Sequence, residues 1–330
     1  MKYNSYCTGK LPVIIVAMLT AMLFFIKPAT LFSKPSNKTI LTNSPLPLDI
    51  PTYEGSGQMT HPDILFFSSP WKGFRYWMVG TPYPDENSSY ENPSILVSKD
   101  AVNWTVPEGL SNPLVKPDIP NSYLSDPDII YHRSFGIRVY YRMVDEDYNR
   151  ILFIESKNGK EWTQPSEIIT LPNHQIISPA VTLSKSKYVM YSVKLLDNYM
   201  GTVVERRISK DGKSWSSPET VTVNNLNEEI WHLDAQYVSS RREFWLVLLT
   251  YPSSSLYVAT GRDGLKFRAF SVPLLAKSEN PNAWDSYSLY RSTFRVTNTG
   301  NFFLWYAGEK GVESHIGFIK TRLKNILAFR

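Results

Sequence analysis

One seven-residue phrase recurs along the chain and limits what it can fold into. It reads Ser98-Lys99-Asp100-Ala101-Val102-Asn103-Trp104, then Ser156-Lys157-Asn158-Gly159-Lys160-Glu161-Trp162. It returns as Ser209-Lys210-Asp211-Gly212-Lys213-Ser214-Trp215 and, more loosely, as Gly261-Arg262-Asp263-Gly264-Leu265-Lys266-Phe267. Copies begin 58, 53 and 52 residues apart, and a period near fifty marks a repeat architecture. Asp-Gly and Asn-Gly accept the positive φ of a tight hairpin, and the aromatic falls where a strand resumes. Each copy is therefore expected to join two outer strands of one repeat.

A second phrase heads the apolar run of each repeat. It is His61-Pro62-Asp63, Asp126-Pro127-Asp128 and Ser178-Pro179-Ala180, with weaker versions Asp234-Ala235-Gln236 and Asp285-Ser286-Tyr287. Proline cannot donate to a sheet ladder, so it fits only a strand entry or an edge. Alternating aromatic runs follow, and the 14% aromatic content favours strands over helices. Five units of three or four antiparallel strands predict an all-β fold, a five-bladed β-propeller over residues 55–330. A β-sandwich would not produce a five-fold recurrence of both phrases. In a propeller the first strand of each blade lines the axis, so two columns should meet at one mouth. They are His61, Asp126, Ser178, Asp234 and Asp285, and Asp63, Asp128, Ala180, Gln236 and Tyr287.

The N-terminal stretch is of another kind. Lys2 and Lys10 precede an apolar run at residues 11–26 that ends at Lys27-Pro28. Residues 1–32 thus read as a signal peptide or a membrane anchor helix, with the propeller secreted or anchored outside the cytoplasm. Residues 33–54, rich in Ser, Asn, Thr and Pro, read as a linker. Cys7 is the only cysteine, which excludes an internal disulfide and a cysteine metal site. The net charge of +5 is spread without a Lys/Arg block, so nucleic acid is not an expected partner. His61, His232 and the nearby acids could bind a divalent metal, but no close His spacing supports it and no metal is expected; no cofactor motif is present, and a monomer is expected.

The phrases Ser125-Asp126-Pro127-Asp128-Ile129 and Ser209-Lys210-Asp211-Gly212-Lys213-Ser214-Trp215 resemble those of five-bladed propellers in the glycoside hydrolase clans of arabinanases, levansucrases and invertases (families 43, 62, 32 and 68). The resemblance spans roughly residues 55–325 and implies a carbohydrate in the central pocket. In the arabinanase-like family a first blade supplies a base Asp, a second an orienting Asp, and a third a Glu acid in Glu-Gly-Pro. Asp126 matches the second. His61 stands at the first position, and Ile177-Ser178-Pro179 has no Glu at the third. Sialidases share a similar hairpin motif, one residue longer and usually on six blades.

Cleaving a glycoside needs two carboxyl groups about one bond, one protonated and one ionised. Asp126 is expected to orient, Asp63 or Asp234 to act as base, and Glu91 or Glu229 as acid. Glu91 lies in an aromatic, Pro-rich stretch between two strands of the first blade. Asp residues beside Pro would equally cap strand entries by accepting backbone amides. His61, Asp128, His232, Asp285 and Arg291 are candidate substrate ligands, with Arg291 equally a partner for a blade carboxylate. Trp231 and Trp284 are candidate sugar platforms or fillers between blades. Two readings stay open. One is a glycoside hydrolase-like enzyme acting on a polysaccharide or cell-surface glycan. The other is a non-catalytic glycan-binding or surface-assembly module.

Overall fold

The computed structural model describes residues 38–196 and 200–330. The expected signal or anchor, and Cys7 with it, lie outside the described residues. Among those described, no helix is long and apolar enough to cross a membrane.

The described chain is all-β apart from single 3-10 turns and one short terminal helix, α1 (Leu323–Leu327). The first meander is β1 (Met59–Trp71), β2 (Phe74–Pro82) and β3 (Ser94–Ser98), with Thr105 bridged to Val97 at its edge. The second is β4 (Tyr123–His132), β5 (Gly136–Val144), β6 (Tyr148–Ser156) and β7 (Ser166–Pro172). The third is β8 (Ile177–Ser184), β9 (Lys187–Leu195), β10 (Thr202–Ser209) and β11 (Glu219–Asn224). The fourth is β12 (Glu229–Val238), β13 (Glu243–Tyr251), β14 (Ser255–Gly261) and β15 (Lys266–Ala269), with β16 (Leu275–Ala276) on the edge of β14. In the last, β17 (Ser288–Leu289) and β18 (Thr293–Val296) both pair β19 (Asn301–Lys310), which pairs β20 (Glu313–Arg322). A parallel pairing of β11 with β15 joins the third and fourth sheets.

The first strands close a ring. β1 touches β4, β4 touches β8, β8 touches β12, β12 touches β18, and β18 touches β1. The apolar core lies between neighbouring sheets rather than inside any one of them. Trp77 and Val79 pack against Ile129 and Tyr141, and Met78 and Leu96 pack against Trp305 and Ile316. Burying one such side chain contributes about 1.5–3 kcal/mol, so each sheet depends on its neighbours.

The hairpin phrase has a use for each of its letters. Ser209 Oγ accepts the Gly212 N–H, and Asp211 Oδ1 accepts those of Lys213 and Ser214 at 2.8 and 2.9 Å. Those amides hold the Asp211 carboxyl down at about 2. Asp100, Asn158 and Asp263 repeat the pattern. Each tip then docks on the preceding meander. Arg138 Nη1 donates to Asp211 O at 3.0 Å and the Tyr140 hydroxyl to Gly212 O at 2.8 Å. Tyr191 and Arg206 hold the fourth tip through Gly264 O and Asp263 O. Trp305, in β19, donates to Ala101 O of the first tip, so the last sheet is clasped by the first.

The composition-based linker is corrected over residues 39–50. Ile40 and Leu41 donate backbone bonds to Pro273 and Leu274, and Leu48 donates to Ile316. Leu41 and Ile50 are buried. Polar and proline residues alternate here with apolar ones that fill the joint between the fourth, last and first sheets.

Candidate functional site

Each first strand is interrupted shortly after its entry. Register shifts fall between Thr60 and Asp63, Ser125 and Asp128, Ile177 and Ala180, and Ile230 and His232. His61, Asp126 and Ser178 sit in these interruptions with φ of 51°, 48° and 52°. Left-handed backbone is uncommon for such residues, and bulges re-aim side chains. Here the bulge turns one side chain per meander toward the ring axis. In the last meander the gap between β17 and β18 holds Arg291, which occupies the equivalent place.

The inward residues are therefore His61, Asp126, Ser178, His232 and Arg291. Two residues further along come Asp63, Asp128, Ala180, Asp234 and Thr293. This corrects the expected columns at two points. Asp234 belongs to the second column, and His232 takes its place in the first. Asp285 and Tyr287 belong to neither. The fourth and last strands lack the proline that marks the entry elsewhere, so sequence alone slipped their register.

The first column makes one buried cluster. Asp126, with no exposed surface, accepts the Ser178 N–H at 3.2 Å on Oδ2, which also pairs in charge with Arg142 Nε at 2.9 Å. Its Oδ1 faces His61 Nε2 at 3.3 Å, His232 Nδ1 at 3.4 Å and Arg291 Nη1 at 3.8 Å. Burial alone would raise the Asp126 pKa, but Arg142 above all holds it well below the usual carboxylate range. Burial drives His61 down to about 3 and His232 well below its ordinary value, outweighing the attraction of Asp126. Both imidazoles are thus neutral at neutral pH, and the guanidiniums of Arg142 and Arg291 supply the compensating charge. His61 Nε2, His232 Nδ1 and Asp126 Oδ1 are all buried without a hydrogen-bond partner. These three atoms lie within 4.8 Å of one another. Two neutral nitrogens and a carboxylate oxygen at one point form a set that a divalent cation would complete.

Glu91 approaches the cluster from the loop after β2. Its Oε2 lies 3.4 Å from His61 Nδ1, which also contacts Thr81 Oγ1 at 3.0 Å. Burial, with Asp126 adding to it, pushes Glu91 up to about 8 against a hydrogen bond from Ser125. An unfolded glutamate ionises near 4.5, so native Glu91 keeps a proton that the unfolded chain has released. Stability is then lost as pH rises from about 4.5 to about 8 and is level above. Glu91→Gln is expected to match the wild type near pH 4.5 and to exceed it increasingly toward pH 8, by a few kcal/mol at most. Urea midpoints measured in chelator across that range check it, and a constant difference at every pH would refute it.

The second column serves the sheets. Asp63 Oδ2 accepts the Ile129 N–H at 2.7 Å, Asp128 accepts that of Val181, and Asp234 Oδ2 accepts that of Phe294 at 3.1 Å. Each ties its strand to the next meander. Arg295 reaches Asp63 at 2.6 Å and Asp234 at 3.3 Å, and the Thr293 hydroxyl lies between them, 2.9 Å from Asp63 and 2.8 Å from Asp234. Burial and the Asp63 charge raise Asp234 to about 6 and Asp128 well above its ordinary value. These are the properties expected of strand-entry caps. Asp63 and Asp234 face guanidinium, hydroxyl and amide donors rather than an open space.

Four expected site residues lie outside the cluster. Asp285 accepts from Asn43 Nδ2 at 2.7 Å and the Tyr306 hydroxyl at 2.9 Å, which holds the N-terminal stretch. Trp284 donates to Ser44 O and packs on Tyr306. Trp231 fills the joint between sheets, edge-on to Tyr251. Glu229 accepts from Thr202 at the start of β10. Sequence reasoning passed over Tyr290, Thr293 and Arg295. Tyr290 is half-buried, with its ring 4.5 Å from that of His232 and 5.1 Å from that of His61. Its only signal was adjacency to Arg291.

Comparison with known proteins gives the fold. No family model matches the chain. A type blood N-acetyl-alpha-D-galactosamine deacetylase of Flavonifractor plautii is 26% identical over 353 positions, covering 88% of this chain and 45% of its own length. The chain thus spans under half of that relative. The crystal structure of an N-acetylgalactosamine deacetylase from F. plautii in complex with blood group B trisaccharide superposes with a TM-score of 0.79 at 24% identity, over 88% of this chain and 97% of that one. A GH43_1 enzyme of Xanthomonas citri with xylotriose follows at 0.61 and 12%, over 80% and 87%. Penicillium chrysogenum alpha-L-arabinanase with arabinobiose gives 0.55 and 14%, over 80% and 77%. The fold is that of the propeller glycoside hydrolases and of a deacetylase built on the same frame.

Proposed function

We propose that this chain is a five-bladed propeller that removes the acetyl group from an N-acetylated sugar of a glycan, using a divalent cation held by His61, Asp126 and His232. The observation that carries the reading is the meeting of three unpartnered, buried ligand atoms from different strands. The deacetylase likeness supplies the substrate class, and export rests on the apolar run at residues 11–26 alone.

When bound, such a cation would polarise an acetyl carbonyl and acidify a water molecule. The chain's own residues do the rest. Thr81 and Glu91 contact His61 Nδ1 and fix the ring with Nε2 turned toward Asp126. Arg142 and Arg291 keep Asp126 ionised in a dry setting. Tyr290 stays protonated, because burial and the nearby Asp126 raise its pKa well above the ordinary value. Its hydroxyl is then a donor for an acetyl oxygen or a sugar hydroxyl.

One observation favours a second reading. A buried Glu91 that keeps its proton to about 8 also suits the acid of a glycosidase. Assaying the full chain on an N-acetylgalactosamine-terminated glycan for acetate and for free sugar separates the two. Acetate release that chelator and His232→Ala both abolish is the expected result. Sugar release without acetate, lost in Glu91→Gln, would replace the deacetylase by a hydrolase. Glycan binding with neither product would leave a binding module.

A further inference from the structure

The two ends of the ring carry opposite charge. The first strands run away from the His61–Asp126 mouth, so turns between first and second strands, and the hairpin phrases, lie at the far end. Every first-to-second turn in the opening four meanders exposes a cation: Lys72, Arg133, Lys185 with Lys187, and Arg242. From the second hairpin onward two exposed cations meet one carboxylate, as with Lys210 and Lys213 beside Asp211. That carboxylate is engaged by amides of its own turn. The mouth end is the reverse, exposing Asp85, Glu86, Glu146, Asp147, Glu229 and Glu313 against the cations Lys277 and Lys310. Four of the chain's positive charges, Lys2, Lys10, Lys27 and Lys34, precede the ring, and the small net charge that is left conceals a basic face opposite an acidic one.

The polypeptide also enters the domain at the basic end. Lys38 Nζ lies 5.9 Å from the ring of Phe329, which follows α1 at the far end of β20. From there residues 38–43 climb toward the mouth, where Asn43 meets Asp285. Only eleven residues separate Ile26, the end of the apolar run, from Lys38. Fully extended they reach about 40 Å.

We propose that the face opposite the mouth, built from the first-to-second turns and the hairpin phrases, docks on an anionic lipid surface. The occupant follows from two independent facts: the sign of the face, and the arrival there of a chain with an apolar run a short tether upstream. Each basic side chain close to such a surface strengthens attachment by about fivefold, so several acting together would set the orientation. The acidic mouth would then point away from the membrane, toward glycans outside it. The proposal does not depend on which chemistry the mouth performs.

The test uses the full chain with Cys7→Ser, placed in lipid discs, and a single fluorophore on Ser186→Cys at the basic face or Glu146→Cys at the mouth. The discs carry a headgroup quencher and are made of phosphatidylcholine alone or with phosphatidylglycerol. In anionic discs the residue-186 label is expected to be quenched at least about threefold more than the residue-146 label. About 0.5 M salt should erase the difference by screening. So should zwitterionic lipid, and so should the combined variant Lys157→Glu, Lys160→Glu, Lys210→Glu, Lys213→Glu. Equal quenching, stronger quenching at 146, a difference indifferent to salt, or no association with anionic discs would overturn it. Capture on heparin or duplex RNA with the 186 label unquenched by lipid would give the face to a soluble polyanion and overturn it equally.

Discussion

Asp126→Asn is expected to lose both stability and cation binding, and the two losses have separate causes. The carboxylate lies 2.9 Å from Arg142 Nε and also faces Arg291. Asparagine fills the same space but leaves buried guanidiniums uncompensated, which costs about 3–5 kcal/mol. Against a typical total of about 5–15 kcal/mol, the urea midpoint should fall by a third or more. His232→Ala is the control. It removes a neutral ring and leaves every charge pair intact, so its stability loss should be smaller, about 1–2 kcal/mol. Metal content per chain, measured by mass spectrometry after loading, should fall in both. A wild-type midpoint in Asp126→Asn would show that the guanidiniums do not depend on that carboxylate. Retained cation in His232→Ala would remove the imidazole from the ligand set.

The second large effect lies far from the mouth. Gly212→Ala should destabilise the fold by roughly 2–5 kcal/mol, the sum of about 1–2 for left-handed alanine and about 1–3 for overpacking. Gly212 has φ +70°, and an added Cβ would be driven into Arg138 Nη1 and the Tyr140 hydroxyl. Those are the two donors that clasp this hairpin. Gly300→Ala separates the contributions. Its φ is +75°, yet an added Cβ meets nothing within 4 Å, so only the backbone cost of about 1–2 kcal/mol should appear. Ala101 already holds the equivalent place in the first hairpin at φ 78°, so the conformation itself is bearable. Thermal melts of the two variants side by side check the ordering. Equal losses would mean that the docked tip gives way without resistance.

What could be read from the sequence followed from local chemistry. The hairpin phrase is a set of bonds made within seven residues, so Ser209, Asp211 and Gly212 announce their turn wherever it sits. The Asp-Pro entries of β4 and their kin at β1 and β8 are equally local, and they brought His61, Asp126 and Asp128 to the axis. The fourth and last entries have no proline, and there the reading slipped: Asp234 for His232, and Asp285 for Arg291. The proposed cation site was legible in the sequence only as a possibility that spacing did not support, and for a different reason. Metal motifs are recognised by close spacing along one strand or helix, whereas His61, Asp126 and His232 come from three meanders and meet only when the ring closes. Trp284 and Asp285 looked like a sugar platform and its acid. Their partners Ser44, Asn43 and Tyr306 come from a stretch whose composition resembled a linker, so nothing local revealed that they were taken.

The clasp between the first hairpin and the last sheet has a consequence for how the protein is made. Trp305 donates to Ala101 O across a sequence separation of 204 residues. Every later hairpin finds its partner meander already synthesised, because it docks backwards. The first hairpin alone must wait for the C-terminal end to leave the ribosome, on the order of 10–40 s at usual elongation speeds. During that interval the apolar flank of the first meander, with Met78 and Leu96, lacks Phe303, Trp305 and Ile316 and has only Leu48 and Ile50 from the preceding stretch on that side. The nascent chain therefore carries an open seam through most of its translation, and completion of β19 is the event that seals it.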